Sequence, residues 1–169
     1  INMENNTDIQ CFKSKSIHDY KPVLEKLVDD FGYSYYHAIL AWCGIIDNST
    51  PDNFWEVWLV QSNGQVIGIC GLYATEPRHT KELWLGWFGI VPEHRNKGIG
   101  AKVLDFLKKK CKYFHCTTLY SYVDKNGKPL PFYHRNGFSN QGTVADYIAD
   151  KPHLLKSFDQ HFSDKADFV

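Results

Sequence analysis

Alternation and helical spacing of apolar residues divide the front of the chain into one strand and two helices. Apolar and polar residues alternate from Ile9 to Ser14, which is typical of a strand with one buried face. Apolar residues then recur at helical spacing, and this first helix is predicted to begin at an Asp19 cap and to stop at Gly32. A second helical stretch is predicted from Ser34 to Ile45.

Three apolar runs in the middle of the chain predict an antiparallel meander. The first two, Phe54 to Gln61 and Val66 to Ala74, flank Asn63-Gly64, which is the strongest short signal for a hairpin turn. The third run extends from Glu82 to Val91 and follows a polar loop at Thr75 to Thr80. We therefore expect these strands to be neighbours in one sheet.

Helices and strands alternate in the remainder of the chain. A helix is predicted with Ile99, Val103, Leu104, Phe106, Leu107 and Cys111 on its buried side. A strand from Thr117 to Val123 completes a strand–helix–strand crossover, which makes the two strands parallel. A short helix closed by Gly137 follows. Two last strands are predicted at Thr143 to Ala149 and at Leu154 to Phe162.

Length, charge and cysteine content indicate the number of domains, the kinds of partner and the redox compartment of the protein. The 169 residues suit one domain with a sizeable core. The 19 basic and 19 acidic residues give no electrostatic attraction to nucleic acid or an anionic membrane, and no apolar stretch is long enough to span a bilayer. Five scattered cysteines, an odd number, are typical of reduced thiols, so we expect a cytoplasmic protein.

The stretch from Val91 to Ala101 carries the clearest chemical signal. It is a basic, glycine-rich turn between a predicted strand and a predicted helix, so several backbone N–H groups remain unpaired where the helix dipole is positive. Such a turn binds phosphate, and Gly98 and Gly100 lack the Cβ that would keep a bulky anion away. The spacing excludes a nucleotide P-loop, and Val103 replaces the third glycine of a dinucleotide fingerprint.

Two motifs together point to one family. The first has the spacing R-x-x-G-x-G/A, which resembles the pyrophosphate loop of the GCN5-related N-acetyltransferases, the GNAT superfamily. Its residues are Arg95, Gly98, Gly100 and Ala101. The second is Phe132-Tyr133 followed by Gly137-Phe138, with Asn126 seven residues before the tyrosine, and it resembles another signature of the same family. The predicted order of elements is similar to that of the family from residue 9 to residue 162.

The resemblance implies an α/β (α+β) fold of the GNAT type. Its centre is a mixed, mostly antiparallel, twisted sheet of about six to seven strands, flanked by about four helices. We expect a single domain over residues 1–169, with flexible ends at residues 1–8 and 163–169. Members of the family often form homodimers, although no residue of this chain specifies an interface.

The resemblance also implies transfer of the acetyl group from acetyl-CoA, as co-substrate, to a primary amine of a small molecule or peptide. The amine would attack directly in a ternary complex. The positions that match the family's acetyl-CoA site are Phe88, Gly89, Ile90, Arg95, Asn96, Lys97, Gly98, Ile99, Gly100, Ala101 and Asn126. No metal is expected, because Cys111, His115 and Cys116 lack a paired C-x-x-C motif.

Two other classes of function stay open. One is a catalytically inactive, acyl-CoA-binding regulatory module of the same fold, and the other is an interaction domain, which would leave both motifs unexplained. The acceptor amine is not specified by the sequence. The aromatic residues weighed as acceptor-site walls or as core are Tyr33, Tyr36, Trp42, Trp55, Trp84 and Trp87.

Tyr133 is the candidate general acid. The departing thiolate has a pKa near that of a free cysteine, about 8.5, whereas a phenol has a pKa of about 10 and stays protonated at neutral pH. The phenol can therefore give its proton to the sulfur as charge develops there. The alternative is that Tyr133 is a core tyrosine whose hydroxyl has a hydrogen-bond partner.

Glu82 is the first candidate for the general base. An acceptor amine with a lysine-like pKa of about 10.4 is protonated at neutral pH and must lose a proton. Some family members use a glutamate where this chain has Trp84. Glu82 lies two residues earlier on the same strand face and would act through a water molecule. Glu76, His79 and water alone remain alternatives.

Overall fold

The computed structural model describes residues 8–27, 39–40, 43, 55–75, 81–124, 127–145, 149 and 166–169. The strands, in chain order, are β1 (Ile9–Phe12), β2 (Trp55–Ser62), β3 (Gln65–Tyr73), β4 (Glu82–Ile90), β5 (Thr118–Tyr120), β6 (Tyr122–Asp124), β7 (Gly142–Thr143) and β8 (Ala166–Phe168). The helices are α1 (Ile17–Lys26), α2 (Ile99–Tyr113) and α3 (Leu130–Arg135). Of the second predicted helix, Ile39 and Leu40 are helical and buried, and Cys43 is buried at a turn; the remainder lies outside the described residues. None of the described helices is long and apolar enough to cross a membrane.

The larger sheet has five strands in the order β1-β2-β3-β4-β5. Neighbouring strands from β1 to β4 pair antiparallel. β4 and β5, which precede and follow α2 in the chain, pair parallel. The sheet is therefore mixed and mostly antiparallel, as predicted. Asn63 and Gly64 have φ values of 52° and 76°, and two positive values in sequence are those of a type I′ turn, so the predicted hairpin is confirmed.

A second, antiparallel sheet has three strands in the order β6-β8-β7. The predicted strand from Thr117 to Val123 divides at Ser121, so the described strands form two sheets rather than one of about six to seven strands. The cause lies at Ser121, whose N–H donates to the Val169 carbonyl at 3.0 Å and whose carbonyl accepts from the Val169 N–H at 2.9 Å. The chain therefore leaves β4 after Tyr120 and continues along β8.

The back of the chain differs most from the predicted elements. We expected residues 163–169 to be flexible, but β8 is the central strand of the second sheet and Phe168 is buried. For residues 166–169 that expectation is wrong, because a strand this short carries little pattern and its pairing partners are distant in sequence, while residues 163–165 lie outside the described residues. The strand predicted from Thr143 to Ala149 is wrong at Val144 and Ala145, which are helical, and residues 146–148 lie outside the described residues. The strand predicted from 154 to 162 and the expected flexible residues 1–7 lie outside the described residues.

The first helix begins earlier than the sequence predicts. Ser16 is its N-cap, while Asp19 lies in the first turn and accepts a hydrogen bond from Ser14 Oγ at 2.6 Å. Because Asp19 has this partner, it stabilises the turn without capping it. The helix ends at Lys26, and Gly32, its predicted stop, lies outside the described residues.

Helix α2 packs against the larger sheet through the apolar face that the spacing of its hydrophobic residues predicts. Its buried residues are Ile99, Val103, Leu104, Leu107 and Cys111. Phe106 on the same helix meets Trp58 of β2 edge to face, with ring centroids 5.3 Å apart. Each fully buried aliphatic side chain contributes about 1.5–3 kcal/mol relative to an exposed one. The start of α2, where the glycine loop ends, is therefore held in a fixed position relative to β4.

Candidate active site

Strand β4 carries a bulge just before the segment predicted to hold the pantetheine arm. Ile69 of β3 pairs with Gly89 of β4. The next pair is Gly71 with Gly86, so two steps along β3 match three steps along β4. Trp87 lies in this interval with a φ of 53°, a left-handed conformation that costs roughly 1–3 kcal/mol. The bulge therefore redirects the end of β4 towards the glycine loop, and bulges of this kind are frequent beside active sites.

A cleft begins where β4 and β5 separate. Their parallel pairing ends at Trp84 and Tyr120. Beyond that point, among the described residues, β4 pairs with β3 alone, while the chain from Ser121 onwards pairs with the C-terminal strand. One edge of the β4 backbone, from residue 85 to residue 90, therefore has no strand partner among the described residues. An extended substrate arm can make strand-like hydrogen bonds to it.

The glycine loop is tied to the end of β4. A 3-10 turn at Pro92–His94 follows the strand, and Arg95 Nε donates a hydrogen bond to the Ile90 carbonyl at 2.7 Å. Asn96 and Gly98 then turn the chain with φ values of 60° and 78°. Arg95 therefore stabilises the conformation of the loop that is predicted to bind the pyrophosphate.

The first turn of α2 has the features of an anion site. The first hydrogen bond of the helix runs from the Lys102 N–H to the Gly98 carbonyl at 3.3 Å, so the N–H groups of residues 99–101 precede it. Gly98 is the N-cap and has no side chain to bond these groups, and the first turn holds no acidic residue. A Cβ at Gly98 would meet no described atom within 4 Å. An open, uncapped helix end with a positive dipole fits the diphosphate of acetyl-CoA.

At Gly100 the absence of a side chain allows close packing of Phe132, whereas at Gly98 it leaves open space. A Cβ at Gly100 would lie 3.1 Å from Cε2 of Phe132 on α3, which is closer than ordinary contact. Phe132 in turn stacks on Phe88 of β4, with ring centroids 5.9 Å apart. Gly100 therefore lets α3 approach both α2 and β4. This packing brings the glycine-loop motif and the Phe132-Tyr133 motif, which are distant in sequence, next to each other.

Tyr133 lies on α3 with only 6% of its side chain exposed. Its ring meets those of Phe132 and Phe138 edge to face, with centroids at 5.5 and 5.3 Å. Burial raises the pKa of Tyr133 above its ordinary value, and a hydrogen bond with the Ser121 side chain partly opposes that rise. The phenol is therefore protonated at neutral pH, as a general acid must be.

Ser121 lies where β4 and β5 separate. It follows Tyr120, the last of the described β5 residues that pair with β4, and only 4% of its surface is exposed. Its hydroxyl donates a hydrogen bond to the Tyr122 carbonyl at 3.4 Å, and its side chain lowers the pKa of Tyr133. Sequence reasoning missed Ser121, since one serine within a strand matches no motif. The available signal was a lone small polar residue between Tyr120 and Tyr122.

Glu82 lies at the paired end of β4, away from the bulge, and is half-buried. Trp84, on the same strand face, is fully buried. The rings around it belong to Tyr73, Tyr120 and Phe168, with centroids at 6.5, 5.2 and 5.7 Å. Trp84 is therefore core rather than an open wall of an acceptor site. Glu82 lies about 7 Å further from the cleft along the strand, so a water molecule would have to link it to the amine.

Several residues singled out from the sequence lie outside the described residues. They are Asn126, Glu76, His79, Tyr33, Tyr36 and Trp42. Cys111 and Cys116 meet where α2 ends, because the Cys116 N–H donates to the Cys111 carbonyl at 2.8 Å. Burial raises the pKa of the Cys111 thiol to about 12. The part of the chain that the structure describes holds no group of three or more His, Cys, Asp and Glu residues suited to a metal ion.

Comparison with known proteins identifies the family and the fold. The family described as Acetyltransferase (GNAT) domain matches residues 53–140, just over half of the chain. A GNAT acetyltransferase from Staphylococcus aureus Mu50 is 19% identical, with a TM-score of 0.66 over 95% of this chain and 98% of its own. PaiA N-acetyltransferase from Thermoplasma acidophilum, in complex with coenzyme A, is 19% identical, with a TM-score of 0.60 over 80% and 92%. A GNAT acetyltransferase from Elizabethkingia anophelis with acetyl-CoA bound is 18% identical, with a TM-score of 0.60 over 87% and 85%.

The family match covers the part of the chain that builds the site. It begins just before β2 and ends just after α3, so it contains the bulged strand, the glycine loop and Tyr133. The solved structures share the fold over at least four-fifths of this chain. With its mixed sheet, its uncapped helix after β4 and this match, the chain belongs to the GNAT family of acetyltransferases.

Proposed function

We propose that the protein transfers the acetyl group of acetyl-CoA to a primary amine of a small molecule or peptide, by direct attack in a ternary complex. The observation that carries this proposal is the junction of the bulged β4, the open side of the cleft and the uncapped first turn of α2. A thioester arm can lie along β4 while its diphosphate rests on the helix end. Coenzyme A and acetyl-CoA in the structures from T. acidophilum and E. anophelis support this choice of donor.

Backbone groups would hold most of acetyl-CoA. Phe88, Gly89 and Ile90 are proposed to pair with the pantetheine arm, and an N–H of this segment suits the carbonyl oxygen on which negative charge develops. Residues 96–101 are proposed to hold the diphosphate, with Asn126 on the pantetheine arm as in the resembled family. Each anion contact at a helix end contributes about 0.3–1 kcal/mol when exposed and more when partly buried.

Tyr133 is proposed as the general acid. The amine nitrogen forms a bond to the thioester carbonyl carbon, the carbon–sulfur bond breaks, and the products are an amide and the free thiol of CoA. Tyr133 gives its phenolic proton to the sulfur as that bond breaks and afterwards regains a proton from water. Because burial favours the protonated phenol, this proton is present at the start of each turnover, and such a group contributes about 10²–10⁴-fold to the rate.

Glu82 is proposed to take the amine proton through a water molecule. It is the only acidic residue in the sequence of β4. Its distance from the cleft along the strand makes a direct contact with the amine unfavourable, so the water is part of the proposal. Glu76, His79 and water alone remain the alternatives.

Release of CoA thiol from acetyl-CoA tests the proposed reaction. The panel of acceptors contains aminoglycosides, polyamines, amino acids and peptides with free N-termini. We expect wild type to turn over with at least one class, and Tyr133→Phe to lose roughly 10²–10³-fold in kcat because it has no proton to give. Tyr113→Phe is the matched control, since Tyr113 is 72% exposed at the end of α2 and should keep the wild-type rate.

Two outcomes would count against separate parts of the proposal. If acetyl-CoA binds but no acceptor releases thiol faster than hydrolysis does, the inactive binding module replaces the enzyme. If Tyr133→Phe keeps the wild-type kcat, acetyl transfer stands and the assignment of the acid is wrong.

A further inference from the structure

Strand β3 carries two glycines at positions that pair with β4. Gly68 pairs with Ile90 and Gly71 with Gly86, so one glycine lies on each side of the bulge at Trp87. Both glycines are buried. A glycine inside a strand gives up the packing of a side chain, and it often marks a place where another backbone approaches closely. The two glycines therefore indicate where β4 lies nearest to β3.

Gly68 leaves room for the carbonyl group of Gly89 on β4. A Cβ at Gly68 would lie 2.7 Å from the Gly89 oxygen and 2.7 Å from Cδ1 of Ile90, and real Cβ atoms essentially never come this close to another atom. The end of the Ile90 side chain can rotate away, but the Gly89 oxygen belongs to the backbone of the strand. Any side chain at Gly68 would therefore push the end of β4 away from β3.

The direction of the Gly89 carbonyl also sets the direction of the next N–H group. The Val91 N–H donates to the Ile67 carbonyl at 2.8 Å, and the backbone groups of successive residues in a strand alternate between its two edges. Ile90 accordingly faces away from β3, and its carbonyl accepts the hydrogen bond from Arg95 Nε. A trans peptide directs its C=O and its N–H oppositely. The Gly89 carbonyl therefore points to β3, and the Ile90 N–H points to the edge of β4 that has no strand partner among the described residues.

We propose that Gly68 is a positioning residue, which admits the Gly89 carbonyl and so holds the Ile90 N–H in the orientation in which it donates to the pantetheine arm of acetyl-CoA. The inference rests on the proposed function, since Gly68 has this task only if acetyl-CoA lies along β4. Gly68 is buried on the neighbouring strand and acts through β4.

Gly71 has the same kind of contact on the other side of the bulge. A Cβ there would lie 2.9 Å from the Gly86 oxygen of β4 and 3.0 Å from the Glu56 oxygen of β2. Gly86 precedes the proposed acetyl-CoA segment, and the bulge separates the two. Because the ladder is interrupted at a bulge, a displacement of Gly86 should not reach Ile90. Gly71 therefore offers a control with similar crowding and no link to the Ile90 N–H.

Gly68→Ala and Gly71→Ala form the matched pair of variants. Both should lower the thermal midpoint, because both place a Cβ against backbone oxygens of the sheet. Gly68→Ala should also raise the Kd for acetyl-CoA roughly tenfold, as expected for the loss of one backbone hydrogen bond, whereas Gly71→Ala should change it less than about twofold. Calorimetric titration measures Kd at a temperature at which circular dichroism shows each protein to be folded.

A second comparison separates the backbone contact from the contact with the Ile90 side chain. Ile90→Val removes Cδ1 and leaves the Gly89 oxygen in place. Gly68→Ala in this background should still raise Kd roughly tenfold relative to Ile90→Val alone. The double variant keeps only one of the two close contacts, so it also provides the test if Gly68→Ala alone does not fold. Equal Kd values for the double variant and Ile90→Val would refute the role of Gly68.

The amide resonance of Ile90 reports the hydrogen bond directly. In protein labelled with ¹⁵N-isoleucine, this resonance is assigned by its loss in Ile90→Val. Saturating acetyl-CoA should move the Ile90 amide proton downfield in wild type and in Gly71→Ala, because the proton gains an acceptor. In saturated Gly68→Ala the displacement should be much smaller, and a displacement equal to that of wild type would contradict the proposal.

Failure of this inference and failure of the proposed function give different results. If wild type binds acetyl-CoA and Gly68→Ala binds it with the same Kd, the role of Gly68 is refuted and the proposed function stands. The same conclusion holds if both glycine variants weaken binding equally. If folded wild type does not bind acetyl-CoA, the proposed function fails and the role of Gly68 fails with it.

Discussion

Gly98 and Gly100 lie two residues apart in one loop but meet different surroundings. Gly98 has a φ of 78° and open space around its Cα, so it supplies a left-handed turn and room for an anion. Gly100 is helical, and a Cβ at this position would lie 3.1 Å from Cε2 of Phe132, closer than ordinary contact. The sequence motif treats both as phosphate-binding glycines, whereas the structure gives the second a role in packing α3.

Substitution of Gly100 by alanine tests this distinction. Helix propensity alone predicts that Gly100→Ala stabilises the protein by up to about 1 kcal/mol. Because the new Cβ would press on a ring already stacked on Phe88, we expect the opposite sign, a loss of about 1–2 kcal/mol in the free energy of unfolding. Urea denaturation of the variant against wild type measures it.

The same substitution in a Phe132→Leu variant tests whether contact with the Phe132 ring causes the loss of stability. In Phe132→Leu, which removes the ring, Gly100→Ala should become neutral or stabilising. Gain of stability by Gly100→Ala in the wild-type background would show that Phe132 yields easily and that the packing argument is wrong.

Residues that belong to a motif could be predicted, and residues defined only by the fold could not. Tyr133 was named from its neighbours Phe132 and Gly137-Phe138, and it is buried on α3. Ser121 is distinguished only by the break between β5 and β6. Its backbone hydrogen-bond partner Val169 is distant in sequence, and no local pattern joins the two.

At the scale of elements, β4 carries most of the proposed chemistry. Its first residues pair with β5 and its middle bulges at Trp87. Its last residues face the opening, and Arg95 ties the end of the strand to the loop. The order along the strand is therefore the proposed base, the core, the bulge and the acetyl-CoA segment.

The position of Glu82 along this strand gives a prediction about the base. If Glu82 takes the amine proton through water, Glu82→Gln should lower kcat at neutral pH by roughly tenfold or more. The loss should shrink as the pH rises towards the pKa of the acceptor amine, because the amine is then deprotonated without help. A pH–rate profile against Glu25→Gln, an exposed glutamate of α1, provides the comparison.

Identical profiles for Glu82→Gln and wild type would remove Glu82 from the mechanism. The proton acceptor would then be water or one of the two loop residues named as alternatives, Glu76 and His79. Both loop residues can be tested in the same assay.

The strands that were predicted well are those whose pairing partners are close in sequence. The hairpin of β2 and β3 is closed by Asn63-Gly64, and its signal lies within one short stretch. β8 pairs with β6, far away in sequence, and its few residues carry no turn signal of their own. The same physical reason explains why the chain end was expected to be flexible, since only long-range pairing makes it a strand.

At the scale of the whole molecule, the division into two sheets creates the cleft. A single continuous sheet would keep β4 paired along its length and leave no edge for a substrate arm. The turn of the chain at Ser121 towards β8 opens that edge, and α2 brings a positive helix end beside β4. The central proposal is that acetyl-CoA binds along β4 with its diphosphate at Gly98.

The most direct test of this claim is the thermal shift produced by acetyl-CoA in wild type, Gly98→Glu and Gly64→Glu. Gly64 is the matched control, because its φ of 76° and its open surroundings repeat those of Gly98, but it lies in the hairpin. Both variants should lose a similar amount of stability without ligand. At about 100 times Kd, acetyl-CoA should stabilise wild type and Gly64→Glu by about 2.7 kcal/mol and leave Gly98→Glu nearly unshifted. An equal shift in all three proteins, or no shift in folded wild type, would contradict the account.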